Sequence, residues 1–210
     1  LLHNSDFLTM AAASQVPMIN GCCERYHPCQ ALTDVLTMTE HSDKPLEALH
    51  LLYTGVQNNV SNSLVLMADR LGFSLTLATP EPEETQESFD ADLQAMIMDN
   101  PSIQRVEDPR DAIASADFIY TDTWIDMQYF NDPTKHAEKT ALVAQMQRFQ
   151  INSDLVAGHE LKIMHDMPIH NDYEITEAAV RDPRSIIFDQ AANRLHAQKG
   201  LLYWLLVANT

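Results

Sequence analysis

Three groups of amide, carboxylate or imidazole side chains each follow within a few residues of a short apolar run of strand length. They are Asn58 with Asn59, Asp122 with Asp126, and Asp166 with His165 and His170. If the runs are neighbouring parallel strands, their carboxyl ends meet at one edge of a sheet and the groups converge. Three carboxylates and two amides there would bind a small cation, such as an ammonium group or a polyamine. Each residue alone is also an ordinary helix cap or turn residue, because Asp and Asn are favoured in both places.

A further group stands at residues 26–30, where Pro28 favours the first turn of a helix. His27 and Gln30 would then lie about one turn apart and could face one ligand. An imidazole N–H directed at a carbonyl oxygen stabilises developing negative charge, and an amide oxygen accepts a hydrogen bond from a ligand NH2 group. A histidine before a proline is alternatively a plain turn residue.

Metal and cofactor chemistry have less support in the sequence. Residues 22–29 and 165–172 each contain several Cys, His or Asp residues, but neither segment has the paired spacing of a structural zinc site. Glycine occurs only 5 times, and no glycine-rich phosphate loop or dinucleotide fingerprint is present. We therefore expect no metal and no cofactor.

The charge balance excludes some classes of partner. Among 210 residues, Lys and Arg number 13 and Asp and Glu number 30, which gives a formal net charge of −17. So acidic a surface repels nucleic acid and anionic membranes, although a few arginines in one cleft could still bind an anionic small molecule. The longest clean apolar stretch, residues 201–208, is far shorter than the roughly 18 residues that a membrane-spanning helix needs.

The cysteines and the first residues indicate a compartment. Cys22, Cys23 and Cys29 form an odd, clustered set that is untypical of a disulfide framework and indicates a reducing environment. The first residues show no basic segment of the signal-peptide kind, so we expect a cytoplasmic protein. Because the chain lacks an initiator Met, we interpret it as a piece of a protein or a processed product.

Apolar runs of strand length alternate with amphipathic stretches of helical length. This alternation predicts an α/β fold, with a parallel sheet and helices on both faces. The predicted strands are 17–20, 49–53, 73–78, 103–106, 117–120, 161–164 and 186–188. The predicted helices include 6–13, 30–40, 60–71, 93–98, 109–115, 134–149 and 193–207.

In their order along the chain, these motifs resemble the ornithine/aspartate carbamoyltransferase family, and above all its ornithine-type branch. The matching stretches are 16–20, His27-Pro28-Cys29-Gln30 with 34–37, Asn58-Asn59 with 62–64, Thr121-Asp122-Thr123-Trp124, 164–168 and 188–199. Each stretch is weak alone, but together they cover nearly the whole chain and are highly specific.

The resemblance implies a two-domain α/β enzyme that acts as a cytoplasmic homotrimer. It would transfer the carbamoyl group of carbamoyl phosphate to the amine of ornithine or an ornithine-like cationic acceptor, by direct attack and without a metal. Residues 1–44 would be the tail of the carbamoyl-phosphate domain, 45–190 the acceptor domain, and 191–210 a helix that returns to the first domain. The family's Ser-Thr-Arg-Thr phosphate loop would stand upstream of residue 1, so we expect the 210-residue piece alone to be inactive.

The resemblance also implies roles for single residues. A catalytic set on the donor side would contact the carbamoyl moiety through His27 and Gln30 and carbamoyl phosphate through Arg194. The acceptor would contact an amide, an acidic residue that holds its amino group, and two adjacent pairs. These positions are Asn59 with Asn58, then Asp122, then Asp126 with Met127 and Asp166 with Met167.

Three positions depart from the ornithine-type pattern. Asp126 replaces a Ser, Asp166 replaces a Cys, and Ala192 replaces a Glu. Asp166 would take a proton, be protonated beside Asp122, or bind a second cationic group, and Asp126 would repel an α-carboxylate. A diamine or a guanidino compound would therefore suit the site better than ornithine does. The same departures would also suit a non-catalytic carbamoyltransferase-like binding protein or fragment.

Overall fold

The computed structural model describes residues 2–125, 130, 134 and 136–208. Its centre is a sheet of five strands, all parallel, in the order β3-β2-β1-β4-β5. The strands are β1 (His50–Thr54), β2 (Ser74–Ala78), β3 (Ile103–Val106), β4 (Phe118–Thr121) and β5 (Lys162–His165). The order reverses between β1 and β4, and in sheets of this kind ligands bind beyond the strand ends at such a reversal.

Helices cover both faces of the sheet, which confirms the predicted fold class. Their bounds are α1 (Asn4–Ala13), α2 (Pro28–Glu40), α3 (Asn59–Leu71), α4 (Ala91–Asp99), α5 (His136–Met146), α6 (Ser153–Val156), α7 (Glu177–Val180) and α8 (Ile187–Tyr203). Short 3-10 turns occupy Leu46–Ala48, Pro109–Asp111, Ile113–Ser115 and Gln147–Phe149, and a π-helical turn, Trp204–Ala208, follows α8. Among the described residues, no helix is both long and apolar enough to span a membrane.

Two buried clusters, one on each face, hold the sheet between the helices. Along β1, Leu51 and Tyr53 enter one cluster while Leu52 enters the other. Along β4, Tyr120 and Ile119 divide in the same way. Because successive side chains of a strand point to opposite faces, a strand buried on both sides needs an unbroken apolar run, and these runs are the strand signal in the sequence.

Residues 17–20 do not form the predicted buried strand. They are irregular, and Met18 and Ile19 are 38% and 39% exposed. The segment pairs with none of the five strands that the structure describes, and Pro17 removes one of the backbone donors that a ladder needs. An apolar run without a neighbouring strand therefore stays a loop.

Residues 186–188 were also wrongly predicted as a strand. Two ladder-like bonds do form here, from Ile163 N to Arg184 O (3.1 Å) and from Ile186 N to Ile163 O (3.0 Å). The backbone then turns at once into α8, which begins at Ile187. Phe188 is 65% exposed, so the run Ile-Ile-Phe marks the buried start of a helix and not a strand covered on both faces.

Helix α8 packs along α2 through polar contacts. Gln190 and Asn193 are buried on its inner face. The Asn193 amide donates to Thr37 Oγ1 (3.1 Å) and to Glu40 Oε2 (2.6 Å), both on α2. These bonds join residues about 150 positions apart, and they set where the middle of α8 stands beside the sheet edge.

Candidate active site

The carboxyl ends of β1, β4 and β5 bring together Asn58, Asp122 and Asp166. The Asn58 side chain has two functions, because its oxygen caps α3 by accepting from the backbone N–H groups of Val60 and Ser61. Its amide nitrogen donates to Asp122 Oδ2 at 2.6 Å. The cap therefore fixes the direction in which Asn58 presents its NH2 group to the acid.

Asp122 and Asp166 form a buried pair of carboxyl groups. Their exposed fractions are 8% and 9%. Burial raises the pKa of Asp166 well above its usual range, and the negative charges of Asp122 and Asp34 raise it further. Within the described ranges, Asp166 Oδ1 has no hydrogen-bond partner. The pair can therefore hold a proton or a cation between its two members.

Two buried tyrosines lie beneath this pair. The Tyr53 hydroxyl donates to Val56 O (3.1 Å) and to Asn58 Oδ1 (3.3 Å). Tyr120 packs edge-on against Tyr53, with 5.7 Å between the ring centroids. Burial, and then nearby Asp carboxylates, raise the pKa of both hydroxyls, so both rings stay neutral. Two neutral aromatic rings therefore form the floor of the site below the acid pair.

His27 stands at the start of α2 and faces the same region. Its backbone N–H donates to Ser63 Oγ (2.7 Å) and Asn59 O (3.1 Å), which ties α2 to α3. Burial first, and then the charge of Arg194, lower the pKa of His27 to about 4, although Asp122 acts in the opposite direction. The imidazole is therefore neutral at neutral pH, and its Nδ1 has no partner among the described residues.

Gln30 and Arg194 complete the side of the site nearest α2. The fully buried Gln30 donates from Nε2 to Asp34 Oδ1 (2.8 Å), and its Oε1 has no partner within the part of the chain described. Arg194 lines a cavity of about 380 Å³ together with Cys29 of α2. The guanidinium acts electrostatically on both His27 and Asp34, so Arg194 lies within electrostatic range of the other donor-side residues. Neither His27 nor Gln30 is among the described residues that line this cavity.

The remaining predicted site residues have other contacts or lie outside the described residues. Asn59 turns away from the acid pair and donates to Cys23 O (2.8 Å) and Cys22 Sγ (3.4 Å). Met167 is half-buried with a φ of 61°, and its N–H donates to His165 Nδ1 (2.9 Å). Asp126 and Met127 lie outside the described residues. No group of three or more His, Cys, Asp or Glu residues suited to a metal ion occurs in the ranges searched.

Comparison with known proteins assigns a family. Residues 47–205 match the Asp/Orn binding domain of aspartate/ornithine carbamoyltransferase, and residues 2–40 match its carbamoyl-P binding domain. The chain belongs to the aspartate/ornithine carbamoyltransferase family. The resemblance found from the sequence motifs is therefore confirmed.

Individual family members are similar over nearly the whole chain. An ornithine carbamoyltransferase from Bacillus cereus is 37% identical over 202 residues, 95% of this chain and 61% of the relative. One from Nitrobacter winogradskyi is 35% identical over 99% of this chain and 65% of its own length. The crystal structure of the Thermus thermophilus enzyme matches with a TM-score of 0.81 at 32% identity, covering 98% of this chain and 64% of that one. The chain thus spans about three fifths of the length of the curated relatives it matches.

Several residues of the site region were not singled out as site residues from the sequence. Asp34, Gln190 and Glu174 are wholly buried polar residues, and Tyr53 and Tyr120 form the aromatic floor of the site. Glu174 accepts from His170 N (2.6 Å) and lies 3.2 Å from His165 Nε2, so it holds the loop that carries Asp166. The signal was present but weak, since a polar residue inside an apolar run predicts burial with a partner and does not name the partner.

Proposed function

We propose that the intact protein transfers the carbamoyl group of carbamoyl phosphate to the amine of ornithine or an ornithine-like cationic acceptor. The observation that carries this proposal is the proximity of an acid pair to a histidine and an arginine. Asp122, which is bonded to Asn58 and paired with Asp166, lies within electrostatic range of the neutral His27, and so does Arg194. The acids suit an amine, and the histidine and arginine suit an anionic acyl donor.

The donor-side residues would act on the carbonyl group and the phosphate. The neutral ring of His27 would donate to the carbonyl oxygen, where negative charge develops during attack. Gln30 Oε1 would accept from the carbamoyl NH2 group, and Arg194 would pair with the phosphate. A neutral amine nitrogen then bonds to the carbonyl carbon, the bond from that carbon to the phosphate oxygen breaks, and the released proton leaves with the phosphate.

The acid pair bears on which amine is used. Asp166 stands where the ornithine-type branch has a Cys, and a carboxylate close to the reacting amine would favour its unreactive ammonium form. An acid pair instead suits a second positive charge at some distance from the nitrogen that reacts. We therefore propose a diamine or a guanidino compound as a better acceptor than ornithine.

The test is a steady-state assay of the intact protein with carbamoyl phosphate and a panel of amines. We expect carbamoylation of putrescine or agmatine ahead of ornithine, and none of aspartate, whose two carboxylates the acids would repel. Asp166→Cys should shift the preference toward ornithine. Asp154→Cys, which removes an exposed acid on α6, should leave the preference as it is.

Two outcomes would contradict the proposal in different ways. Ornithine as clearly the best acceptor of the unaltered protein would refute the acceptor preference and leave the transferase. Amine binding without transfer to any acceptor would instead favour the second candidate, a non-catalytic carbamoyltransferase-like binding protein or fragment. The altered residues Asp126, Asp166 and Ala192 support that candidate.

The proposed domain organisation and oligomeric state rest on the likeness to the carbamoyltransferase family. We propose that residues 1–44 belong to the carbamoyl-phosphate domain, that 45–190 form the acceptor domain, and that 191–210 return to the first domain. Assembly as a homotrimer in the cytoplasm is proposed on the same ground. The 210 residues without the rest of a carbamoyl-phosphate domain would be inactive, because the main phosphate-binding cations would be missing.

A further inference from the structure

Asp34 lies at the centre of a buried chain of hydrogen bonds that joins three elements. Its Oδ1 accepts from Gln30 Nε2 (2.8 Å) on α2 and from Gln190 Nε2 (2.7 Å) on α8. Gln190 Oε1 in turn accepts from the backbone N–H of His165 (2.9 Å) at the end of β5. All three side chains are fully buried, so water does not compete for these bonds.

The chain of bonds determines which way the Gln30 amide points. Asp34 Oδ1 accepts both bonds whether the carboxyl group is ionised or carries a proton on Oδ2, so it requires the NH2 end of each amide that contacts it. Gln190 cannot change this arrangement, because its oxygen is already committed to His165. Gln30 must therefore turn its NH2 group to Asp34 and its oxygen to the other side.

The oxygen of Gln30 is left without a partner. Among the described residues nothing donates to Gln30 Oε1, although the atom is buried. A buried acceptor with no donor is unfavourable, and a ligand N–H at this point would satisfy it. His27, one turn earlier, likewise has a buried ring nitrogen with no partner in the described ranges.

We propose that Asp34 is a positioning residue, which holds the Gln30 oxygen toward the NH2 group of the carbamoyl donor. This inference rests on the proposed function. Asp34 does not touch the donor but acts through Gln30. Without the carboxylate the amide could turn over, and its NH2 group would then face the donor's NH2 group, where two donors repel.

The test compares two acyl phosphates that differ only at the atom in question. Carbamoyl phosphate has an NH2 group where acetyl phosphate has a methyl group, so only the first can donate to Gln30. We would measure the KM of carbamoyl phosphate and the inhibition constant of acetyl phosphate in the intact protein. The variants are Asp34→Leu, which removes the acceptor, and Asp34→Asn, whose side-chain oxygen can still accept both bonds.

We expect Asp34→Leu to raise the KM of carbamoyl phosphate about tenfold, and to change the inhibition constant of acetyl phosphate less than about twofold, as for the loss of one hydrogen bond. Asp34→Asn should have the same KM for carbamoyl phosphate as the unaltered protein. Asp34→Ser is the second variant for the case in which the leucine variant does not fold. Its hydroxyl stands one bond short of the carboxylate oxygens and does not hold Gln30, so it should show the same selective loss. Thr33→Val is the matched control, since among the described residues its hydroxyl bonds only to Cys29 O within α2.

Equal losses for both acyl phosphates would overturn the inference, because a merely structural role of Asp34 would weaken them alike. No loss for either would overturn it as well. In both cases the unaltered protein still transfers, so the proposed function stands. If the unaltered protein neither binds nor uses carbamoyl phosphate, the proposed function fails and the role of Asp34 fails with it.

Discussion

His27 is the residue whose chemistry depends most on its surroundings. An imidazole in water is partly charged near neutral pH, whereas burial and Arg194 lower the pKa of His27 to about 4. A neutral ring beside Arg194 avoids placing two cations together and can still donate one N–H group. The residue type was evident from the sequence, but the protonation state follows only from what packs around it.

We predict that His27→Ala lowers kcat about 10²- to 10³-fold, while the binding of the acceptor changes much less. The reason is that a donor to the carbonyl oxygen acts mainly where charge develops in the transition state. Steady-state kinetics of the intact protein measure both quantities. His41→Ala, which removes the pairing with Asp189 at the far end of α2, is the control. An unchanged kcat would remove His27 from the mechanism.

The two adjacent asparagines show the limit of prediction at this scale. Asn58 and Asn59 have the same side chain at consecutive positions, so the sequence could not say which one reaches the acids. The structure places Asn58 on Asp122 and Asn59 on the Cys22-Cys23 segment. The choice follows from helix geometry, because the cap of α3 and its first residue must point in different directions.

At the scale of elements, the turn after β1 brings the strand ends together. Gly55 has a φ of 126°, a backbone conformation that residues with a Cβ rarely adopt. A Cβ there would lie 3.2 Å from Thr121 Oγ1, at the end of β4, and 3.0 Å from Trp124 Nε1, three residues beyond that strand. Gly55 therefore lets the β1 turn approach β4 closely enough for Asn58 to reach Asp122.

Gly55→Ala is expected to lower the free energy of unfolding by about 1–3 kcal/mol, because it combines a strained backbone with a steric conflict. It should also weaken acceptor binding, since the Asn58 turn would move away from Asp122. Urea denaturation and acceptor titration would measure the two effects. Gly21→Ala serves as the control, because none of the described residues beyond its two chain neighbours has an atom within 4 Å of the added Cβ. Equal stability of the two variants would contradict the role given to this turn.

The element boundaries that were predicted well share one property. Helix α3 has a capping residue at one end and Gly72 in the left-handed conformation at the other, so local chemistry fixes both ends. The strands wrongly predicted at 17–20 and 186–188 had only apolar composition in their favour. A strand forms only when it pairs with a neighbouring strand, and the topology of the fold decides whether a short apolar run has such a neighbour.

At the scale of the whole molecule, the chain combines a net charge of −17 with carboxyl groups inside the protein. Burial raises the pKa of Asp34 to about 7, even though hydrogen bonds from Gln190 and Gln30 lower it. An acid whose pKa is higher folded than unfolded favours the folded state when protonated. Its contribution to stability is therefore full below about pH 4 and is lost as the pH rises to about 7.

We predict that Asp34→Asn raises the free energy of unfolding at pH 8, by a few kcal/mol at most, because it removes the cost of a buried charge. The gain should shrink as the pH falls and vanish near pH 4, where the unaltered Asp34 is neutral as well. Denaturant unfolding of both proteins across this range measures the difference. Asp154→Asn, on the exposed face of α6, should give no such pH-dependent difference. A gain that is constant with pH would contradict the assignment.

The sequence by itself determined the α/β class, the family and the kinds of side chain at the strand ends. It could do so because apolar runs, caps and short motifs are local, and because a parallel sheet always gathers its carboxyl ends at one edge. Only the tertiary structure decided that Asp122 and Asp166 share one buried neighbourhood, that Asn58 and not Asn59 joins them, and that Asp34 bonds to both Gln30 and Gln190. These facts depend on contacts between residues up to about 150 positions apart, such as Asp34 with Gln190, and on a local polarity that exists only once the chain has folded.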